Sequence, residues 1–437
     1  MKPTAFALAL IFMTACTTKP ASLVERLSNA AETTPFYGHQ DDLMYGHEWN
    51  SADSLDKLME RSDVKDVCGQ YPAILGLDLG YIELGRRCNL DGNDFALMAE
   101  AARQHHARGG IITLSWHPDN PATGGSAWDN SDNSVVRRIL PGGDLHDKFR
   151  VWTDRVCDWI ESLKDENGNQ IPVIWRPFHE HTGGWFWWGA SCCTPQEYNA
   201  LWKMLYEQMV NERGLREMVW AISPSSSNRE LFAERYPGDG YVDLVGVDHY
   251  AYLAPGQSQE EADEAYIEST RELLAWLKEF AQAHGKPYAL TETGLEGLNS
   301  AQWWTGVLQK AIEGSGICYV LTWRNSSRED QRNHFYAPVP GQASADDFCK
   351  WIDEGKIKML DAYAGILPTD DWKVRLGQMR VPFSLDAPRS PHKQYFANRS
   401  FIAKQVGNVR DVGLCAGWQP APGSPLLLEA GSSTARD

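Results

Sequence analysis

The sequence predicts a single (β/α)8 barrel, and three observations predict it. Eight short apolar runs recur along the chain, helix-period stretches separate them, and polar residues cluster just past the ends of the runs. Strands buried on both faces by crossover helices read as nearly continuous apolar segments. The runs are Pro35–Gln40, Ala73–Leu79, Gly110–Ser115, Pro172–Arg176, Met218–Ile222, Val242–Val247, Pro287–Thr291 and Cys318–Thr322. A doubly wound open sheet is the alternative. It would not need eight strands, and the sequence carries no Gly-rich phosphate loop, so no cofactor is expected.

The intervening helices carry their own signals. Thr194-Pro195-Gln196-Glu197 is a capping box with Pro in the first helical position. Tyr198, Leu201, Trp202, Leu205 and Met209 follow at helical spacing, and Gly214 ends the element. Leu273, Leu274, Trp276, Leu277 and Phe280 form a second stripe, closed by His284-Gly285. Phe95–Ala107 and Leu145–Leu163 are two more.

Around the barrel, taken as residues 35–380, the chain divides into three further parts. Residues 1–16 read as an export signal. Lys2 supplies positive charge, and Ala5 to Met13 form an apolar run too short to span a bilayer. Met13-Thr14-Ala15-Cys16 is similar to a bacterial lipobox, which makes Cys16 the expected lipidation site; an ordinary cleaved signal is the alternative. Thr at position 17, where Asp would mark inner-membrane retention, favours the outer membrane of a Gram-negative envelope. Residues 17–34 read as a tether, and 381–437 as a C-terminal extension, partly disordered and rich in Gly, Pro, Ser and Ala beyond residue 416. Eight cysteines remain after Cys16. In an exported chain an even number predicts disulfides, with Cys68 and Cys88, which flank one strand, the first expected pair.

The formal charge of −17 argues against a nucleic-acid partner and suits a neutral polymer better than an acidic one. A chain with 18 Trp and 16 Tyr has aromatic faces to spare for pyranose rings. A monomer is expected. The strand-end residues include His39, Asp41, Asp42, Asp78, His117, His179, Glu180, Ser223, Asp248, Tyr250, Glu292 and Trp323. In a barrel these lie together on the C-terminal face, where active sites form. Glu180 and Glu292 each end an apolar run. Paired carboxyls on rigid strands suit glycoside hydrolysis, one protonating the leaving oxygen and the other attacking the anomeric carbon. Trp185-Phe186-Trp187-Trp188 cannot all face one core, so part of that run lines a loop, with Trp185 the ring expected beside the sugar.

Several ordered segments resemble one family. Arg176-Pro177-Phe178-His179-Glu180-His181-Thr182-Gly183-Gly184-Trp185-Phe186-Trp187-Trp188-Gly189 is similar to the acid/base segment of β-mannanases of glycoside hydrolase family 26. Residues 36–42, 109–117, 236–239, 246–250, 291–294 and 321–325 resemble other strand ends of that family, so the likeness covers roughly 35–350. It implies a retaining β-mannanase acting on mannan, galactomannan or glucomannan. Glu180 would be the acid/base and Glu292 the nucleophile, with His179 supporting Glu292. His117, Trp128, Trp185, Tyr250 and Trp323 would surround the sugar, and Asp248 would bind near it. His181 stands where the family usually carries Asn. Exo-acting mannobiohydrolysis and cleavage of xylan or mixed-linkage glucan are alternatives on the same fold.

Two other classes compete. A zinc hydrolase would draw ligands from His179 and His181 with His39, His117, Asp248 and His249, but it leaves Glu292 and the tryptophans without a task, so no metal is expected. A non-catalytic glycan-binding lipoprotein would use the same aromatic cleft, but it has no need of two strand-end glutamates.

Overall fold

A computed structural model describes residues 21–51, 58, 61–226 and 228–360, and the strand backbones 363–369, 372–380, 410–418 and 428–433. Cys16 and the rest of the export signal lie outside the described residues.

Eight parallel strands close a barrel: β1 (Phe36–Gln40), β2 (Ile74–Asp78), β3 (Ile111–Trp116), β4 (Val173–Pro177), β5 (Met218–Ile222), β6 (Leu244–Asp248), β7 (Tyr288–Thr293) and β8 (Tyr319–Thr322). Each strand pairs with its neighbours in sequence, and β1 meets β8 to complete the ring. Every expected strand is present within about two residues. Crossover helices Phe95–Ala107, His146–Glu161, Pro195–Tyr206 and Gln259–Ala283 lie where the apolar stripes predict them. The Thr194 capping box is formed on both sides.

Two apolar layers result. One fills the space between strands and helices and holds the fully buried Trp116, Trp175, Trp187, Trp188, Trp202 and Trp220. The other fills the barrel floor, where Ile74, Ile111, Ile174, Ala221, Leu244 and Leu321 meet residues from outside the barrel. Those residues are Leu23, Leu27 and Ala30 of a helix, α1 (Leu23–Glu32), opened by a Ser22–Glu25 capping box.

This helix corrects the reading of 17–34 as a tether. Spacings of four and three residues align Leu23, Leu27 and Ala30 on one face. That face plugs the N-terminal mouth of the barrel, and Arg26 Nη2 donates to the Gly109 carbonyl at 2.8 Å.

Among the described residues the expected Cys68–Cys88 disulfide is not formed. Cys88, Cys157, Cys192, Cys193 and Cys318 are free thiols, all but Cys88 buried, and Cys68 and Cys349 are buried as well. The buried thiols are used as small core groups. Cys193 donates to the Trp188 carbonyl and Cys349 to that of Val67, and burial pushes the Cys157 thiol up to about 12.

Among the described residues the last hydrogen bond onto the barrel is that of Leu360 N–H to the Tyr71 carbonyl. Beyond it β9 (Tyr363–Thr369), β10 (Trp372–Arg380), β11 (Arg410–Trp418) and β12 (Leu428–Ser433) form an antiparallel sheet in chain order. Strands therefore stand on both sides of residue 380, and part of the extension expected to be disordered is ordered sheet.

Candidate active site

Strand β4 stops at Pro177, and the chain turns sharply at once. Phe178 and Glu180 both take left-handed backbone conformations, with φ of 49° and 53°. Such angles cost energy for residues other than glycine and persist only where the surroundings fix them. Here Glu180 N–H donates to the Ser223 carbonyl at 2.7 Å, Tyr198 Oη–H to that of Phe178 at 3.1 Å, and Trp188 Nε1–H to that of His179 at 2.8 Å. The turn delivers the Glu180 side chain to the barrel mouth, where Trp185 Nε1–H donates to its Oε2 at 2.7 Å.

Glu292 is aimed by a bulge. Val247 pairs with Leu290, but the next residue, Asp248, pairs with Glu292, so β7 carries one extra residue. A bulge bends the strand and re-aims its side chains. Thr291 Oγ1 then donates to Asp248 Oδ1 at 2.6 Å. Arg176, buried at the end of β4, joins the two strands. Its Nη1 donates to Asp248 Oδ2 at 2.8 Å and to Ser223 Oγ at 3.0 Å, and its Nη2 to Glu292 Oε1. Burial disfavours the guanidinium charge, yet the carboxylates of Asp248 and Glu292 outweigh it and raise the Arg176 pKa. Tyr250 Oη–H donates to the other Glu292 oxygen at 2.7 Å.

Oxygens of Glu180, Asp248 and Glu292 lie within 4.8 Å of one another. The environments of the two glutamates differ. Burial, and then the charge of Glu292, push the Glu180 carboxyl up to about 7, against the pull of the Trp185 donor. Glu292 instead receives a guanidinium and a phenol. One carboxyl thus keeps its proton near neutrality beside another whose oxygens are both held by donors, the division of labour that acid-assisted displacement needs.

Most of the expected sugar-binding residues gather here. His117 Nδ1–H donates to Asp78 Oδ2 at 2.7 Å. Burial opposes the imidazolium, but the Asp78 carboxylate overcomes it and raises the His117 pKa. Trp128 stacks on the His117 ring with centroids 5.2 Å apart and is half exposed. Of the Trp185–Trp188 run, Phe186, Trp187 and Trp188 are buried and Trp185 faces the opening, 39% exposed. Trp323 is half-buried just past β8, its N–H on the Thr293 carbonyl.

His179 does not make the hydrogen bond to Glu292 that its expected supporting role suggests. It lies edge-on to His117, with centroids 4.5 Å apart, and against Phe186. No hydrogen bond joins it to Glu292 among the described residues; Arg176 and Tyr250 do that work. Burial, with the nearby Arg176 charge, drives its pKa well below the ordinary range, so it is a neutral ring in the wall. His181 is fully buried and stacked on Tyr198. Of the histidines of the zinc alternative His117 and His179 lie together, but the close group of three candidate ligands found among the described residues consists of Glu180, Asp248 and Glu292. Arg176 stood in the sequence only as the end of a strand and the start of the family segment, and nothing there marked it as the bridge of β4, β6 and β7.

With this geometry in hand, the comparisons with known proteins are informative. The profile of glycosyl hydrolase family 26 matches residues 22–293. The chain is similar to a mannan endo-1,4-beta-mannosidase of Bifidobacterium adolescentis, 27% identical over 360 residues that span 78% of this chain and 34% of that protein. It is 28% identical over 294 residues to a mannan endo-1,4-beta-mannosidase of Bacillus subtilis strain 168, spanning 64% of this chain and 70% of that one. Among solved structures, a family 26 beta-mannanase from Bacteroides ovatus superposes with a TM-score of 0.72 at 42% identity, over 77% of this chain and 93% of that chain. The profile match runs through more than half of the sequence, and the chain belongs to glycosyl hydrolase family 26.

Proposed function

We propose that the chain hydrolyses internal β-1,4-mannosidic linkages of mannan by double displacement. The observation that carries this reading is the pair of glutamates with oxygens within 4.8 Å, one proton-holding and one flanked by Arg176 and Tyr250. Retaining enzymes keep their carboxyls about 5–5.5 Å apart, whereas inverting ones leave room for a water. Glu292 attacks the anomeric carbon while Glu180 gives its proton to the departing oxygen. Glu180, now ionised, then takes a proton from water, which displaces Glu292 and restores both carboxyls. Trp128 beside His117 and Trp185 beside Glu180 offer exposed faces for sugar rings, and Asp248 and Tyr250 stand beside Glu292. The named activity of the relatives supports mannan as the polymer.

Proton NMR of early products from mannohexaose tests the mechanism. The β-anomer at the new reducing end is expected first, and the α-anomer first would overturn the nucleophile role of Glu292. A spread of product sizes supports internal cleavage; one small product from the outset would point to exo action.

Lipid attachment at Cys16 is part of the same proposal, supported by the small residues before that Cys. Export of Cys16→Ala as a soluble protein, with the parent in the outer-membrane fraction, is the expected result. Equal solubility of the two would overturn it.

A further inference from the structure

Arg235 follows the short helix Arg229–Glu234 and is fully buried. Among the described residues no carboxylate pairs with it. Its Nη1 donates to the Trp188 carbonyl at 3.2 Å, and its Nη2 to the Gly189 carbonyl at 3.4 Å and to that of Cys193. Its guanidinium carbon lies 5.1 Å from the centroid of the Tyr198 ring. Burying a cation without a counter-charge is expensive, and an apolar side chain would fill the same space at less cost.

Two of the residues it touches share one property. Trp188 and Tyr198 are the two side chains that donate to the carbonyls of His179 and Phe178, within the left-handed turn that leads into Glu180. Residues 188–193 also close the loop that carries Trp185, the direct donor to Glu180. One guanidinium thus contacts both clamps of the strained turn and the end of that loop.

We propose that Arg235 is a positioning residue for Glu180: it fixes the Trp188 and Tyr198 clamps so that the carboxyl meets the glycosidic oxygen. The proposal rests on the acid/base reading of Glu180. It predicts damage to proton transfer rather than to the nucleophile, which Arg176 and Tyr250 hold independently.

The test uses leaving groups. A sugar hydroxyl needs protonation to depart, whereas dinitrophenolate does not. Arg235→Met keeps bulk and removes the donors; Arg235→Lys restores charge and donors. Each is assayed for turnover of mannohexaose and for the phenolate burst from dinitrophenyl mannobioside, with Glu180→Ala run alongside. Arg235→Met should lose about 100-fold or more on mannohexaose while its burst rate changes less than about threefold, and Arg235→Lys should recover at least about tenfold of the loss. Equal loss on both substrates, or no recovery in Arg235→Lys, overturns the proposal. If Arg235→Met does not fold, Tyr198→Phe, which removes only the donor to Phe178, decides: a loss confined to mannohexaose supports the proposal, and unchanged or uniform activity overturns it. Glu180→Ala separates the two levels. If it shows the leaving-group selectivity and the Arg235 variants do not, the positioning role falls alone. If Glu180→Ala loses both substrates equally, the acid/base reading falls and the proposal falls with it.

Discussion

At the scale of single residues, the site is a contrast between two carboxyls of the same chemical type. Glu180 must be protonated to act as an acid, and its pKa lies at about 7, so kcat/KM should fall as pH rises through about 7. The Trp185 N–H donates to Glu180 and favours its ionised form. Trp185→Phe removes that donor while keeping a ring, so the alkaline limb of the pH profile should move to higher pH. Turnover should fall by on the order of tenfold to a hundredfold, the worth of one charge-assisted hydrogen bond. An alkaline limb that stays in place would show that the indole does not tune Glu180. Both glutamates were legible in the sequence because each ends an apolar run. The partner of His179 was not. Its assignment to Glu292 followed the family resemblance, whereas here β4 ends at Pro177 and the left-handed angles at Phe178 and Glu180 turn the chain around His179.

At the scale of elements, the barrel strands were legible because burial on both faces leaves continuous apolar runs. The bulge in β7 was not, since an extra residue in a strand changes neither composition nor pattern. Helix α1 is a different case. Its signals, the Ser22–Glu25 capping box and the stripe of Leu23, Leu27 and Ala30, are present in the sequence. The helix is only ten residues long and adjoins an expected export signal, so it read as a connector. Because Leu27 is fully buried in the barrel floor, Leu27→Ala should cost about 2–5 kcal/mol, the range for truncating a core leucine. Chemical denaturation followed by tryptophan fluorescence measures this. A cost below about 0.5 kcal/mol, typical of surface substitutions, would mean that the plug is dispensable.

At the scale of the whole molecule, stability comes from the two apolar layers. Reductant should leave the Tm unchanged, and the thiols of Cys88, Cys157, Cys192, Cys193 and Cys318 should react with a thiol reagent once the protein is denatured without reduction. A drop of several degrees in Tm on reduction would reveal a bridge. The C-terminal sheet was hidden for a similar reason to α1: Trp372-Lys373-Val374-Arg375-Leu376 alternates as a strand does, but within a stretch rich in turn-forming residues. The plug has a consequence for orientation. Helix α1 starts at Ser22 on the barrel floor, whereas Glu180 and Glu292 open on the opposite face. If Cys16 carries a lipid as proposed, the five residues 17–21 could span at most about 18 Å when fully stretched. That short reach would keep the floor close to the envelope and turn the cleft outward, a barrel height above the headgroups, where a stiff polymer could lie across it without touching the cell.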